Sequence, residues 1–306
     1  MTSDIPGAFH QPVMVQEVLG GLAVQPGGAY IDCTLGDAGH ATAILEAAMP
    51  GGRLLGLDAD PEAVAFCQSR LAPFGSAAVV LHANFDTLEA AAHSHGFVPV
   101  NGVLFDLGLS SRQLEAEERG FSFQRPGPLD MRFDTSEDKT ASELVNHRSE
   151  RELADLLFQF GQEPRARRIA RAVVAQRPIT TAQQLADIVR RASGYRRGRT
   201  HPATRTFQAL RMAVNSELEH LAPALGQAAR VLGPDGRLVT IAYHSLEDRL
   251  IKTFLNEAKR LPLGERPQPT TRRVVRPTPE EVRRNRRSRS ARLRVAEATT
   301  SDRGEK

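Results

Sequence analysis

The sequence has no tryptophan, only two cysteines and few aromatic residues for a chain of 306 residues. Cys33 and Cys67 fit neither a disulfide framework nor a metal site, so we expect both to be small core residues in a reducing compartment. The chain also lacks a run of about 18 apolar residues, and its N-terminus has neither the basic start nor the apolar stretch of a signal peptide. These absences predict a soluble, cytoplasmic protein with no membrane partner and no bound metal.

Positive charge is present but unevenly distributed. The net charge is only +4, yet residues 165–211 hold twelve arginines against one acid, Asp187, and residues 272–294 hold ten arginines against Glu280 and Glu281. Arginine in such excess suits the recognition of phosphate groups. A solvated, solubilising surface is the alternative, but two separate clusters favour a nucleic-acid partner.

The segment Tyr30–His40 has the pattern of a strand, a glycine turn and a helix. An apolar stretch ends in Asp32, the glycines Gly36 and Gly39 follow, and the next residues favour a helix. In an open α/β sheet such a turn lies at the carboxyl ends of the strands, where ligands bind. Glycine lets the backbone approach a ligand closely, and the start of a helix offers free N–H groups. A tight structural turn without a ligand is the alternative.

The next predicted strand favours a ligand that contains a nucleoside. It ends in Asp58, which follows Gly36 by 22 positions, and an acid at this spacing is well placed to accept hydrogen bonds from ribose hydroxyls. The turn reads G-x-x-G-H, in contrast to the G-x-G-x-x-G of dinucleotide-binding enzymes. Asp32 and Asp37 would repel a pyrophosphate but tolerate a cationic sulfonium and its ammonium group. The pattern therefore favours S-adenosylmethionine over NAD.

Two more predicted strands lead to candidate site residues. Phe85 lies just past the third strand, and the fourth strand ends in Asp106. Phe85 either flanks an adenine ring or packs in the ordinary way. Three predicted strands thus end in Asp32, Asp58 and Asp106, at the edge of the sheet where a cofactor and its reacting group should meet.

The alternation of strands and helices stops after residue 111. Within residues 112–204 we expect helices, two of which begin with capping boxes at Ser149 and at Thr181. This stretch is predicted to be a helical domain inserted between two parts of an α/β sheet domain, residues 1–111 and 205–306. The second part carries the basic C-terminal segment.

The last third of the chain completes the predicted sheet. A long helix from Thr204 to Leu232, broken near Pro223, precedes a fifth strand over residues 237–243. Two closing strands are predicted at residues 271–276 and 290–297. A closing pair after the fifth strand fits a methyltransferase sheet better than a dinucleotide-binding domain.

Longer motifs then occur in a fixed order along almost the whole chain. They are H-Q-P-V-M at 10–14, the turn that ends in G-H at 39–40, D-L-G-L-S-S at 106–111, E-R-G-F-S-F at 118–123, G-P-L-D-M-R at 127–132, H-P-A-T-R-T-F-Q at 201–208, N-S-E-L at 215–218, H-S-L-E-D-R at 244–249 and S-R-S at 288–290. Together they resemble the MraW-type family of ribosomal RNA small-subunit methyltransferases H. That family methylates the exocyclic N4 amine of a cytidine in 16S ribosomal RNA of the small subunit, using S-adenosylmethionine.

The resemblance implies a Rossmann-like, class I S-adenosylmethionine-dependent methyltransferase sheet with an inserted helical domain that recognises the substrate. It implies cofactor contacts at Ala38, Gly39, His40, Asp58, Phe85, Asp106 and Gln113. Gln113 follows from the resemblance alone. Two positions depart from the family pattern, since Ala38 and Arg286 stand where the family usually has glycine and proline. We expect the turn to survive if φ at Ala38 is negative.

Methyl transfer to a cytosine amine needs no nucleophile from the enzyme, because the amine nitrogen itself attacks the methyl carbon. The enzyme must hold that nitrogen about 3 Å from the methyl group and stabilise the positive charge that grows on the amine. The candidates that would accept from the amine are Asp106, Ser110, Asp130 and His244. For His244 the alternative is a structural role at a strand end, and for Asp130 it is an ion pair with Arg132.

The target base must also be splayed out of structured RNA, and aromatic side chains usually hold such a base. The candidate stacking residues in or near the insert are Phe121, Phe123 and Tyr195. The candidate phosphate contacts are Arg196, Arg197, Arg199 and Arg205.

Other functions are compatible with parts of this pattern. A methyltransferase acting on DNA, free nucleotides or protein would have the same sheet motifs, and only the resemblance argues against it. A non-catalytic RNA-binding assembly factor could retain the fold, but the intact Gly39, His40, Asp58 and Asp106 argue against decay of the site. A dehydrogenase is disfavoured because its glycine pattern is missing. The oligomeric state stays open, with a homodimer as one alternative.

Overall fold

The computed structural model of the chain describes residues 12–194, 201–258, 267–269 and 274–298. It divides into two compact units, one formed by Met1–Leu109 with Leu218–Lys306 and the other by Ser110–Glu217. We call them the sheet unit and the helical unit. None of the helices in the described part of the chain combines the length and apolarity that crossing a bilayer would require.

The sheet unit is built on one seven-stranded sheet. Its strands are β1 (Ala29–Asp32), β2 (Arg53–Asp58), β3 (Ala78–His82), β4 (Val100–Asp106), β5 (Leu232–Ala242), β6 (Pro267–Pro269) and β7 (Arg292–Ala298). The order is β3-β2-β1-β4-β5-β7-β6. The first five strands are parallel, whereas β7 is antiparallel to both β5 and β6. The predicted methyltransferase-type sheet is therefore confirmed.

Thirteen helices accompany these strands in the described residues. They are α1 (Val15–Leu22), α2 (Gly39–Ala48), α3 (Pro61–Leu71), α4 (Leu88–Ser94), α5 (Ser111–Glu115), α6 (Ala141–His147), α7 (Glu150–Gly161), α8 (Ala166–Val174), α9 (Ala182–Ala192), α10 (Thr204–Val214), α11 (Glu217–Val231), α12 (Ser245–Glu257) and α13 (Pro279–Arg284).

Helices cover both faces of the sheet because successive strand residues point to opposite sides. Ile31 packs in a core with side chains of α4, α11 and α12. Its neighbour Tyr30 packs on the other face, with side chains of α1, α2 and α3. Cys33 and Cys67 are free and buried in these two cores, as predicted from their small number.

The helical unit holds α5 to α10, with α7 packed against both α8 and α10. The capping boxes predicted at Ser149 and Thr181 are formed, with Glu152 and Gln184 as their third residues. The unit runs from Ser110 to Glu217 and so includes α10 as well as the predicted insert. The domain limits of 112 and 204 stay a prediction.

Three details of the sequence-based elements differ from the structure. The predicted break near Pro223 is wrong, because the helix ends before Ser216, whose φ is +48°, and Pro223 lies inside α11. Strand β5 starts at Leu232, and a register shift after Val100 accommodates its early part. The strand before β7 is at Pro267–Pro269. Of the predicted 271–276 strand, residues 271–273 lie outside the described residues, and Val275 forms an isolated antiparallel bridge with Leu293.

The break at Ser216 has a physical cause in the residue before it. The side chain of Asn215 accepts from the Phe133 N–H at 2.6 Å and donates to the carbonyl oxygens of Met131 and Arg211 at 2.8 and 2.9 Å. Asn215 therefore ties the end of α10 to the loop that carries the G-P-L-D-M-R motif. Those contacts replace the hydrogen bonds that would continue the helix.

Two glycines let the segments on either side of this loop lie backbone against backbone. A Cβ on Gly120, whose φ is +67°, would overlap the carbonyl oxygen of Pro128. A Cβ on Gly127 would overlap the carbonyl oxygen of Glu117. The E-R-G-F-S-F and G-P-L-D-M-R motifs therefore need their glycines for close approach.

We expect Gly127→Ala to destabilise the helical unit by about 1–3 kcal/mol or more, because the clash is with rigid backbone. The matched control is Gly226→Ala in α11, where the new Cβ would come no closer than 3.5 Å to Arg230 Nη1. That change should stabilise by about 0.5–1 kcal/mol, as alanine does in helices. Thermal unfolding of both variants measures the difference, and equal unfolding temperatures would contradict the packing described here.

Candidate functional site

Three carboxylates lie along the C-terminal edge of the parallel strands. Strand β1 pairs with β2 on one side and with β4 on the other, and the three strands end in Asp32, Asp58 and Asp106. This is the arrangement predicted from the strand ends. Asp58 and Asp106 are close enough to Asp32 for both charges to influence its ionisation.

The glycine turn is held by the carboxylate of Asp58. Its Oδ2 accepts from the Gly36 N–H at 2.7 Å, and its Oδ1 accepts from the Asp60 N–H at 2.9 Å. Burial raises the pKa of Asp58 to about 6, although both backbone hydrogen bonds oppose the rise. The residue predicted to contact ribose therefore also shapes the turn. Each oxygen keeps a second lone pair for a ligand.

Ala38 does not have a negative φ. Its φ is +57° and its ψ is +24°, and it is fully buried at the N-cap position of α2. The turn keeps the left-handed conformation that the usual glycine would adopt, at a cost of about 1 kcal/mol for a residue with a Cβ. No side chain caps α2, so the N-terminus of this helix remains available to a ligand.

Position 39 requires glycine because Pro12, in the first motif, packs against it. A Cβ at Gly39 would lie 2.8 Å from Pro12 Cγ and 3.0 Å from Pro12 Cβ. The proline ring is rigid, so any side chain at this position would push the N-terminal segment away. The glycine therefore fixes the distance between that segment and the start of α2.

Asp106 is the centre of a hydrogen-bonded group. Its Oδ1 accepts from the Tyr243 hydroxyl at 2.8 Å, and its Oδ2 lies 3.3 Å from His40 Nε2. Its backbone N–H donates to Thr34 Oγ1 at 2.7 Å. The Asp106 side chain keeps 21% exposure while that of His40 keeps 6%, so the carboxylate can still reach a ligand.

The surroundings of His40 favour its protonated form. Burial alone would lower the pKa of His40, but the adjacent Asp106 carboxylate, with Asp32 and Glu281 in support, outweighs burial and raises it. Burial and Asp106 together raise the pKa of Tyr243 well above its usual range. Tyr243 therefore stays a hydroxyl donor, and its proton fixes one carboxylate oxygen in place.

Asp32 has a buried oxygen without a partner. The residue is 1% exposed, and its Oδ1 accepts from the Thr34 N–H at 3.1 Å, whereas Oδ2 has no hydrogen bond in the described structure. Burial raises the pKa of Asp32 to about 6, with smaller opposing effects from His40 and the Thr34 N–H. A buried carboxylate oxygen with no donor calls for one, which a cationic ligand group would supply.

We expect Asp32→Asn to stabilise the ligand-free protein at pH 7.5 by about 3 kcal/mol. Because the folded-state pKa is raised, the unfolding free energy of the native sequence falls as pH rises from about 4 to about 6. The asparagine variant lacks the share of Asp32 in this fall and keeps that of Asp58, so its advantage over the native sequence should vanish near pH 4. Urea unfolding at both pH values measures it.

Glu89→Gln is the control of opposite sign for that prediction. Hydrogen bonds from Arg230 lower the pKa of Glu89. The glutamine variant should therefore be less stable than the native protein at pH 7.5, and this deficit should disappear as the pH falls below the usual range of a glutamate. An Asp32→Asn advantage that does not change between pH 4 and pH 7.5 would contradict the buried, raised carboxylate.

Phe85 and His244 have partners within the sheet unit. The Phe85 ring meets that of Phe105 edge to face, with centroids 5.8 Å apart, so ordinary packing occupies part of its surface. His244 is the N-cap of α12. Its Nδ1 accepts from the Glu247 N–H at 3.3 Å, and the buried Glu247 carboxylate accepts from the backbone N–H groups of Tyr243 and His244. These contacts favour the structural alternative for His244.

Ser110, Gln113 and Asp130 belong to the helical unit and have partners there. Ser110 caps α5 in a capping box with Gln113, which explains the burial of Gln113. Asp130 accepts from Arg132 Nε at 2.9 Å and from Arg132 Nη2 at 2.7 Å. Although burial opposes it, Arg132 lowers the pKa of Asp130. The ion pair weighed against a catalytic role is thus present.

The predicted RNA contacts are described only in part. Phe121 is buried and stacks on Phe133 with centroids 5.6 Å apart, whereas Phe123 stacks on His201 at 4.4 Å. Arg205 Nη1 donates to the Gln162 carbonyl oxygen at 3.2 Å. The other predicted contacts, Tyr195, Arg196, Arg197 and Arg199, lie outside the described residues.

Sequence reasoning missed Thr34, Tyr243 and Glu281. Thr34 accepts from the Asp106 N–H and Tyr243 donates to the Asp106 carboxylate. Glu281 is among the charges that act on His40. A signal for the first two was available, because both stand within two residues of a strand end on the ligand side. The position of Glu281 could not be read from the sequence, since its partner Met14 is 267 positions away.

Comparison with known proteins gives concordant matches. The chain matches the profile of the MraW methylase family over residues 7–299. It is 51% identical over 300 residues to a protein of Dehalococcoides mccartyi named ribosomal RNA small subunit methyltransferase H, covering 94% of this chain and 86% of that protein. It is 52% identical over 308 residues to a protein of the same name from Thermomicrobium roseum, covering 96% and 94%.

The similarity to one solved structure is distant. A crystal structure of an rRNA methylase from Streptococcus thermophilus covers 95% of this chain and 99% of that one, with 12% identity and a TM-score of 0.43. A likeness at that level is too weak to support a conclusion.

Proposed function

Because the chain belongs to the MraW methylase family, we propose that it transfers a methyl group from S-adenosylmethionine to the N4 amine of a cytidine in 16S ribosomal RNA. The observation that carries this proposal is the agreement between the family match and the Asp106 group at the edge of the sheet. Tyr243 and His40 flank a partly exposed carboxylate there, where a ligand would meet it. Relatives of about 50% identity bear the name of this activity.

The residues present fit S-adenosylmethionine. Asp32 Oδ2 is a buried acceptor without a donor, and the ammonium group of the cofactor's methionine part is a donor of opposite charge. Asp58 stands at the strand end where a ribose would lie. Ala38, Gly39 and His40 would contact the cofactor from the turn, and Phe85 from the adenine side.

S-adenosylmethionine supplies a methyl group that is activated by the sulfonium to which it is bonded. The residues of the chain then have three tasks. They orient the cytosine amine, they exclude water from the reacting atoms, and they stabilise the positive charge that develops on the amine nitrogen. None of these tasks needs a covalent intermediate with the protein.

Asp106 is the group best placed to meet the charge on the amine. Tyr243 donates to one of its oxygens and His40 lies beside the other, so the carboxylate is held in one orientation. An amine N–H directed at this carboxylate would gain a charge-assisted hydrogen bond as the nitrogen becomes cationic. Ser110 and Asp130 are weaker candidates for this role, because Ser110 already caps a helix and Asp130 already forms an ion pair. His244 is also a weaker candidate, because it caps α12.

The helical unit is the proposed RNA-recognition domain. Its arginines, from residue 165 onward, and the exposed part of Phe123 would hold phosphates and a base. The small ribosomal subunit is the proposed substrate particle, and the cytoplasm is the location that this substrate implies. A homodimer is compatible with the proposal, which does not require one.

The proposal is tested with small subunits from cells that lack this protein. Incubation with the full-length protein and S-adenosylmethionine carrying a labelled methyl group, followed by digestion to nucleosides, should place the label in N4-methylcytidine. Label in another nucleoside would contradict the assignment of the amine. Absence of label, with cofactor binding demonstrated separately, would favour the non-catalytic RNA-binding alternative.

A further inference from the structure

The C-terminal basic segment is an ordered part of the sheet unit. Residues 278–290, which we call the arginine segment, contain α13 and the turn that follows it. The Thr278 side chain caps α13 by accepting from the Glu281 N–H, and the Ser288 hydroxyl donates to the Asn285 carbonyl oxygen at 2.8 Å. Asn285 and Ser288 are buried. The backbone of the segment is therefore fixed, so its arginines are displayed from a defined position.

Glu281 attaches this segment to the neighbourhood of the glycine turn. Its Oε1 accepts from the Met14 N–H at 2.6 Å, and Met14 is buried in the core under α2. Two residues earlier, Pro12 packs against Gly39. The chain from Pro12 to Met14 thus connects the arginine segment to the start of α2.

The electrostatics agree with that placement. Burial and Asp106 are the larger causes of the raised pKa of Tyr243, and Glu281 adds to them. Glu281 likewise adds to the effect of Asp106 and Asp32 on His40. The charge of Glu281 is therefore felt at both partners of Asp106, which places α13 beside the reacting edge of the sheet.

The arginines of this region fall into two groups. Arg292 and Arg294, on β7, are half-buried and both form ion pairs with Asp248 at 3.3 and 2.8 Å. Four of the five arginines in the arginine segment are exposed instead, and Arg287 is partly buried. The exposed ones are Arg283, Arg284, Arg286 and Arg289. Within the segment, Glu280 forms an ion pair with Arg283. The arginines of the segment still outnumber its acids, so the segment has an excess of positive charge.

We propose that the arginine segment binds the sugar–phosphate backbone of the RNA substrate next to the nucleotide that is methylated. This inference rests on the proposed function and adds a second RNA contact, carried by the sheet unit itself. Guanidinium groups bind phosphate oxygens through two parallel hydrogen bonds and remain charged at every physiological pH. Contacts of this kind position the RNA without reading its sequence.

The test compares two double variants of the full chain. Arg284→Ala/Arg286→Ala removes two exposed arginines from the segment. Arg53→Ala/Arg230→Ala removes the same charge at the opposite end of the sheet, where β2 begins and α11 ends. Binding to 16S ribosomal RNA and to isolated small subunits is measured over a range of salt concentrations, together with the KM for methyl transfer.

The segment variant should bind RNA roughly five- to twentyfold more weakly at physiological salt, with a corresponding rise in KM and little change in kcat. Its plot of log affinity against log salt should be shallower by about 1.5, since each lost phosphate contact contributes about 0.7–0.9. The control variant should match the native protein in RNA affinity and in the slope against salt. Equal slopes for the two double variants would overturn the proposal.

The outcome is separable from that of the proposed function. If the native protein binds RNA but transfers no methyl group, while the slope still falls in the segment variant, the reaction is wrong and the surface stands. If the native protein methylates the RNA and the segment variant behaves like the control, the reaction stands and the surface is wrong.

Glu281→Ala gives an independent test with opposite expectations. Removing an acid makes the protein more positive, so charge alone predicts tighter RNA binding. Loss of the hydrogen bond to Met14 would release the arginine segment, so the present proposal predicts weaker binding in the absence of cofactor. Tighter binding by this variant would contradict a role for the fixed position of the segment.

Discussion

Asp106→Asn should lower methyl transfer by roughly a hundred- to a thousandfold while the protein stays folded, and Asp106→Ala should abolish it. The asparagine side chain has nearly the same shape but no charge, so it cannot stabilise the cation that forms on the amine. Its amide NH2 would also face donors, since Tyr243 and the substrate amine both need an acceptor. Loss of one preorganised charge interaction in a reacting site costs about two to three orders of magnitude in rate.

The matched control is Asp86→Asn in the same unit. Asp86 is also paired with a histidine, since its Oδ2 lies 2.7 Å from His220 Nδ1, but it stands after β3 in the short turn before α4. That variant should keep its turnover. Single-turnover rates with saturating cofactor and RNA measure the chemical step for both. Full turnover by Asp106→Ala would refute the assignment.

Asp58→Ala should weaken S-adenosylmethionine binding by about a hundredfold. Two losses combine in this variant. The ribose hydroxyls lose a charged acceptor, which is worth about 1.5–3 kcal/mol, and the Gly36 and Asp60 N–H groups lose the carboxylate that orders the turn. Isothermal titration with the cofactor and with its demethylated product measures the loss directly.

Fragments of the cofactor separate these two losses. Adenosine contains the ribose and methionine does not, so a ribose contact predicts that adenosine binding falls in Asp58→Ala while methionine binding is unchanged. An equal loss for both fragments would show that Asp58 acts through the turn alone. The cofactor-free unfolding temperature, measured alongside, reports how much of the turn is lost.

The sheet was predictable because its signals are local. Each parallel strand is a short apolar run, and Asp32, Asp58 and Asp106 mark the ends of three of them at one edge. The capping boxes at Ser149 and Thr181 are also local, since donor and acceptor are three residues apart. Patterns of this kind are complete within a window of about ten to fifteen residues.

The parts that could not be predicted depend on contacts between distant segments. The break at Ser216 follows from hydrogen bonds between Asn215 and a loop more than eighty positions away, whereas Pro223 gave a strong local signal that the tertiary structure overrides. The positive φ of Ala38 is imposed by the turn that Asp58 orders. No periodicity in the sequence carries such information, because it arises only when the segments meet.

The site shows the same division. The carboxylate of Asp106 could be placed from its strand, but its partners His40 and Tyr243 are 66 and 137 positions away from it. Ser110 and Asp130 had the right chemistry for the amine, and only the structure shows that a helix cap and an arginine already engage them. Residue type and spacing thus suggest candidates, and the hydrogen bonds and ion pairs that each side chain already makes decide among them.

The division of the sheet unit along the chain has a consequence for its synthesis. Strand β4 ends at Asp106 and its neighbour β5 starts at Leu232, so roughly 125 residues must be translated before the edge of β4 can be covered. At about 5–20 residues per second this takes roughly 6 to 25 seconds. During that interval the nascent chain presents an unpaired apolar edge while the helical unit, whose residues are contiguous, is still being synthesised. A polypeptide that stops within the helical unit is therefore expected to aggregate through β4.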